Sequence, residues 1–295
     1  MTLTQAQVEQ LRNERYHRLP ARRLRSEDDA VRFVDEVGFC LLFPVQGMEL
    51  PSLWEAINGC RRPVPRHHDD YELGLTWRWK DTLPSQKRIF YGKILKGKAT
   101  LISLALLPYF YALSENYGDL DDYLLEYEDG LLSEEAKRIY EVLLERGASP
   151  TGVLRREAGL WGKSNMARFD RALVELQRGL KIAKVGISDA NRWGYSYVYD
   201  LLPRWLPHVP KQAREITRAE ARQRLITKYL DTVVVATADQ MARLFGWERE
   251  WVAGALRRLI EEGLVTQVEV EGLTGEYLCP TILTRSGIER HPHRG

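Results

Sequence analysis

A chain of 295 residues has room for two or three compact domains, and a hydrophobic content of 44% supplies a sizeable core. The formal net charge of +2 is close to neutral, so bulk charge names no partner and any electrostatic recognition must be local. Cys40, Cys60 and Cys279 are scattered with no CxxC pair, which argues against a disulfide framework or a cysteine metal site. Met1 to Arg25 is polar and Arg-rich and does not read as a signal peptide. The longest apolar run, around Leu101 to Tyr111, is interrupted by Pro108 and is too short to span a bilayer. A cytoplasmic protein without membrane contact is the expectation.

Helices are predicted at about 4–17 and 26–37, followed by a strand at Phe39 to Phe43. Arg61 to Asp70 is a loop by composition. Within it His67-His68-Asp69-Asp70 offers no third ligand at a suitable spacing, so it reads as a surface turn, and neither a metal nor a cofactor is expected. A basic stretch with interleaved aromatics follows: Trp77-Arg78-Trp79-Lys80, then Lys87, Arg88, Tyr91, Lys93, Lys96 and Lys98. Rings beside cations suit stacking on unpaired bases and neutralisation of phosphates, which makes Trp77, Trp79, Lys80 and Arg88 candidate nucleic-acid contacts. Tyr117 to Glu145 is strongly acidic and reads as a solvated face or a docking site for the basic stretch. Residues 1–130 are assigned to an N-terminal helical domain.

The remainder holds a degenerate repeat, from about Ser133 to Asp200 and from about Thr217 to Ile282. Each copy reads as helix, short helix, turn, longer helix and two strands. In the first, Ser133 caps a helix with the stripe Ala136, Ile139, Tyr140, Leu143 and Leu144. Ser149 and Pro150 start a short helix, and a third helix with Met166, Phe169, Leu173 and Leu176 inward ends at Gly179. Strands at Leu180 to Val185 and Gly194 to Asp200 close the copy. In the second, Thr217/Glu220 and Thr237/Gln240 fit capping boxes, with helices at about 218–230, 238–245 and 248–262 and strands at about 264–270 and 276–282. Helix–turn–helix followed by a hairpin is the winged-helix plan. The expected fold is therefore mainly α with small β-hairpin wings (α+β), with winged-helix domains at 131–203 and 215–284, a Pro-rich basic linker at Pro203 to Arg214, and a tail at 285–295.

With Met166, Phe169 and Leu173 inward, helical spacing turns Lys163, Ser164, Arg168 and Arg171 outward, with Asn165 at the helix start. A helix in this position enters the DNA major groove, where Arg bonds guanine and Asn bonds adenine. The hairpin adds Lys181, Lys184, Asn191 and Arg192 for phosphates or the minor groove. The competing interpretation is a solvated helix with ordinary salt bridges to Asp170 and Glu175. In the second copy Arg249, Arg257 and Arg258 are offset by Glu248, Glu250, Glu261 and Glu262, a balance that favours protein contact. There is no P-loop, GxGxxG, GxSxG or HExxH, so nucleotide hydrolysis and serine or zinc protease chemistry have no support.

Three stretches, Val37 to Pro44 (VGFCLLFP), Leu75 to Asp81 (LTWRWKD) and Lys184 to Gly194 (KVGISDANRWG), resemble an AlkZ-related branch of winged-helix proteins, akin to the AlkZ-type bacterial DNA glycosylases. The resemblance implies DNA binding and a β-wing near the lesion, here Gly186 to Trp193 with Ser188, Asn191 and Arg192 as polar contacts. It also implies a catalytic Gln-x-Gln or Gln-x-Asp, but Leu41 and Phe43 stand at those positions, so the family's catalytic residues do not carry over. Three functions fit this reading. One is a DNA-binding protein without that catalysis. The second is a glycosylase of alkylated or crosslinked bases using other residues, and the third is a protein-interaction module, with a homodimer through helix 248–262.

Overall fold

The computed structural model describes residues 2–66, 69–189 and 195–285. The N-terminal part runs β1 (Thr2–Leu3), α1 (Gln5–Arg15), α2 (Glu27–Val37), β2 (Phe39–Leu41), α3 (Leu53–Asn58), α4 (Tyr71–Ser85), β3 (Phe90–Gly92), β4 (Thr100–Ile102), α5 (Leu107–Tyr111) and α6 (Asp122–Glu128). The middle part follows with α7 (Glu134–Arg146), β5 (Ser149–Pro150), α8 (Thr151–Glu157), α9 (Met166–Arg178), β6 (Ile182–Ser188), β7 (Ser196–Leu201), α10 (Leu202–Trp205) and α11 (His208–Ala213). The last part is α12 (Arg218–Val233), α13 (Ala238–Phe245), α14 (Arg249–Glu261), β8 (Val265–Val270), β9 (Tyr277–Pro280) and α15 (Thr281–Arg285). The fold is α+β, mainly helical, with three small sheets among the described residues, ordered β2-β4-β3, β5-β7-β6 and β1-β8-β9.

Local chemistry sets most helix starts. Capping boxes close at Thr4/Gln7, Ser26/Asp29, Thr217/Glu220 and Thr237/Gln240, each satisfying amides that the first turn leaves unpaired. Ser133 caps α7 as its position suggested. The helix–helix–helix–hairpin order of both repeats is present. In the first, β5 pairs with β7 antiparallel; in the second, Ala236 makes the corresponding bridge to Leu278. The chain's own start, β1, adds in parallel to β8 through Thr2↔Glu269.

Three expectations need correction. Pro203 to Arg214 is not an open linker: α10 and α11 bury Leu206, Val209 and Ala213, and Pro203 is tolerated because it stands in a first helical turn. Met166 is 45% exposed, because the first turn of α9 overhangs the core that Phe169, Ala172, Leu173 and Leu176 fill. The acidic run is not uniformly solvated: the Asp122 carboxylate accepts the amides of Tyr117, Gly118 and Asp119 at 2.7, 2.7 and 3.2 Å.

The largest core joins distant sequence. Phe39 and Leu41 of β2 and Phe110 and Tyr111 of α5 share it with Leu225, Tyr229 and Leu230 of α12 and Met241 of α13. Gly38 is the turn that delivers β2 into this core, with φ +76°; an added Cβ would lie 2.7 Å from Lys228 Cγ and 2.9 Å from Leu106 Cδ2. Lys228 cannot easily withdraw, since its ammonium donates to Glu36 O at 2.6 Å. Gly38→Ala is therefore expected to cost about 1–3 kcal/mol, seen as a lower urea midpoint at unchanged m-value.

Candidate nucleic-acid interface

The turn at Lys163–Asn165 and the first half of α9 carry the best-motivated expected contacts. Lys163 and Ser164 are exposed, and Asn165 is half-buried, its amide donating to Trp161 O at 3.2 Å. Arg168 is exposed but engaged, because its Nε donates to Glu135 Oε1 at 2.7 Å. Glu135 is held below the usual carboxylate range by a hydrogen bond from its own backbone amide and by Arg168. Arg171 is exposed.

Other expected contacts lie inside the protein. Trp79 (3% exposed) sits in the core beside α2, and Lys80 (0%), Lys181 (4%) and Lys184 (2%) are buried. Lys181 Nζ donates to Asn116 Oδ1 at 2.7 Å and Glu126 Oε1 at 2.5 Å. The cause for Lys80 and Lys184 is that α4 packs against β6 and covers it from solvent. These four residues are not surface contacts. Arg88 is half-buried and paired with Glu27 and Asp28. Trp77 remains on the surface at 38% exposure, next to Phe43 at 5.4 Å between ring centroids. Ser188 is half-buried at the end of β6. Asn191 and Arg192, like His67 and His68, lie outside the described residues. Among the described residues no cluster of three or more His, Cys, Asp or Glu side chains is placed to hold a metal, and no helix is long and apolar enough to cross a membrane.

Beneath the β6–β7 hairpin, the buried lysines form one network. Lys80 Nζ donates to Tyr195 Oη at 2.8 Å and Tyr197 Oη at 2.6 Å and pairs with Asp81 Oδ1 at 3.0 Å. Lys184 Nζ donates to the same Asp81 oxygen and to Lys80 O at 3.2 Å, while Tyr195 Oη donates to Asp81 Oδ2 at 2.8 Å. Burial, reinforced by the neighbouring Lys80 charge, pushes the Lys184 ammonium down to about 8 despite Asp81. One carboxylate serving two ammonium groups makes this a strut between α4 and the β6–β7 hairpin.

Five exposed cations that form no ion pair among the described residues lie along three adjoining clefts. Arg171, Arg178 and Lys93 border a cleft of about 820 Å³. Arg178 continues into a second of about 560 Å³, with Lys96 and Arg243. Lys96 and Arg243 in turn border a third of about 530 Å³. The row is held in place because α9 is fastened to the β3–β4 connection: Lys93 N donates to Gln177 Oε1 at 3.1 Å, and Val174 lies 3.6 Å from where a Cβ on Gly97 would be. Lys96 adopts φ 51° in this connection, a conformation a non-glycine residue takes at a cost. Acidic neighbours along the row are mostly engaged: Glu126 by Lys181, Glu175 by Ser133 N and Oγ at 2.7 and 2.6 Å, and Asp239 by Arg249 at 3.2 Å. Asp170, on the rim of the first cleft, opposes the row. Lys93 and Lys96 fall in the basic-aromatic stretch singled out in the sequence. Arg178 and Arg243 were missed, although Arg178 stands seven residues from Arg171 and so on the same helix face.

Leu41 is fully buried in the main core, and Phe43 is half-buried between Trp54 and Trp77. Gln46 and Glu49, polar residues shortly after them in sequence, line the third cleft. Glu49 accepts from Tyr16 Oη at 3.0 Å and pairs with Arg12 at 3.2 Å.

No curated protein matches this chain. Among solved structures it is similar to the Streptomyces sahachiroi DNA glycosylase AlkZ, with a TM-score of 0.53 at 16% identity over 97% of this chain and 72% of that one, a likeness of fold. The model of the family described as AlkZ related matches residues 24–246, about three quarters of the sequence. The chain belongs to the AlkZ-related family.

Proposed function

We propose that this AlkZ-related chain is a cytoplasmic DNA-binding protein. In this reading residues 131–203 and 215–284 act as winged helices behind the N-terminal helical domain of residues 1–130. DNA is gripped by Lys163, Ser164 and Arg171 at the exposed end of α9, by the wing with Ser188, Asn191 and Arg192, and by Trp77. The observation that carries the reading is the row of cations, without ion pairs among the described residues, running from Arg171 through Arg178, Lys93 and Lys96 to Arg243, which suits the repeated negative charge of a nucleic-acid backbone. The family's Gln-x-Gln/Asp chemistry is absent from this reading, because Leu41 and Phe43 present no polar group to a sugar or a water.

The test is fluorescence anisotropy on plain and alkyl-damaged duplexes over a salt series, with abasic sites assayed in the same samples. Binding that weakens about a thousandfold between roughly 50 and 200 mM salt, without base release, is expected for a row of this length. Absence of binding at low salt would transfer the function to a protein partner or a second copy of the chain. A second reading, base excision by other residues, is favoured by one observation: Gln46 and Glu49 line a polar cleft just beyond β2.

A further inference from the structure

We infer that the third cleft, between the 44–50 loop and α12–α13, receives one unstacked nucleotide of the bound strand. This rests on the reading that the chain binds DNA. The cleft's volume of about 530 Å³ falls within the range of pockets that enclose a ligand of nucleotide size. At its mouth stand Lys96 and Arg243, the last two cations of the row, so a backbone following the row arrives at the opening. Its walls include Val45, Met48, Leu50 and Leu244, apolar surface of the kind that takes the face of a base.

Its floor is a buried ion pair with unused hydrogen-bonding capacity. Glu55 is 4% exposed and Arg18 9%. Arg18 Nη2 and Ser52 Oγ both donate to Glu55 Oε2, each at 2.9 Å. Among the described residues, Arg18 Nε and Nη1 are buried without a hydrogen-bond partner. Buried polar groups left unmatched are costly, and each calls for an explanation. An acceptor and donors held side by side on a rigid pair match the Watson–Crick edge of a base, which carries both kinds of group and becomes available once the base leaves the stack. An inorganic anion would use Arg18 but meet Glu55 with like charge, which disfavours it.

The measurement uses two duplexes, one with 2-aminopurine paired in the middle and one with it as a single-nucleotide bulge. Affinity comes from anisotropy and unstacking from 2-aminopurine emission. The unsubstituted protein is expected to bind the bulged duplex about tenfold more tightly, because the unstacking cost is already met, and to change the 2-aminopurine emission on binding. Glu55→Gln, which removes the carboxylate, and Gln46→Trp, which fills the cleft from an exposed position and leaves the core untouched, are each expected to reduce that preference to about twofold or less. Equal affinity for both duplexes, or a preference that survives both substitutions, overturns the inference while DNA binding stands. Failure to bind either duplex overturns both.

Discussion

Reversing three charges along the row, in the variant Arg171→Glu/Arg178→Glu/Arg243→Glu, is expected to weaken duplex binding by about a thousandfold at low salt, at roughly tenfold per lost phosphate contact. The dependence of log K on log salt should flatten by about three, since each contact contributes close to one counterion. The three residues belong to two different repeats, and all are exposed without ion pairs among the described residues, so their loss leaves no buried charge behind. Arg168→Glu provides the contrast. That guanidinium is already committed to Glu135, and the reversal should cost far less affinity per charge. If Arg168→Glu proves as damaging as the triple variant, the grip lies on the first turns of α9 alone and the row is incidental. Folding of both proteins is checked by urea denaturation before the comparison is made.

The contrast between Arg168 and Arg178 shows what the sequence could and could not convey. Helix starts were legible because their signals are local: Thr217 with Glu220 and Thr237 with Gln240 define their caps within four residues. The order of elements in both repeats was legible for the same reason. Charge at the site was not, because whether a lysine is a contact or a strut depends on what covers it. Lys184 sits on a strand whose residues Ile182 to Val185 are all buried, and the cover is α4, about a hundred positions away in the chain. Helix α4 was itself obscured. Its sequence alternates Leu73, Leu75, Trp77 and Trp79 with polar or small residues, a period of two that suits a strand, and it carries Pro84 inside its last turn. The core shared by β2 and α13 was likewise beyond reach, since it brings Phe39 against Phe245 at 5.9 Å between ring centroids. Cys40, by contrast, is free and buried, in keeping with its lack of a CxxC partner, and burial pushes its thiol far up.

Asp81→Asn is expected to destabilise the protein by about 3–5 kcal/mol near pH 7, the range for removing one partner from a buried ion pair. The substitution keeps the shape of the side chain but leaves Lys80 and Lys184, both fully buried, without a counter-charge. The pH dependence separates this account from a simple packing defect. In the folded protein Lys184 has a value near 8, lowered from the ordinary 10.5. Between those limits the unfolded chain holds a proton that the folded one releases, so this group makes stability rise with pH from about 8 towards 10.5. Below that window the ammonium is charged in both states and its burial cost is present in full. Tyr91 and Tyr195, whose hydroxyls burial pushes upward, work in the opposite sense above pH 10, where unfolded tyrosines ionise first and stability falls. Asp81 supplies the negative charge that favours the charged lysine, so its loss should lower Lys184 further and open the rising window below pH 8. Urea midpoints for wild type and Asp81→Asn should therefore differ most at pH 7 and converge towards pH 10. A constant gap across that range would show that the substitution acts through shape or hydrogen bonding, and that the two lysines do not share a charge-dependent cost.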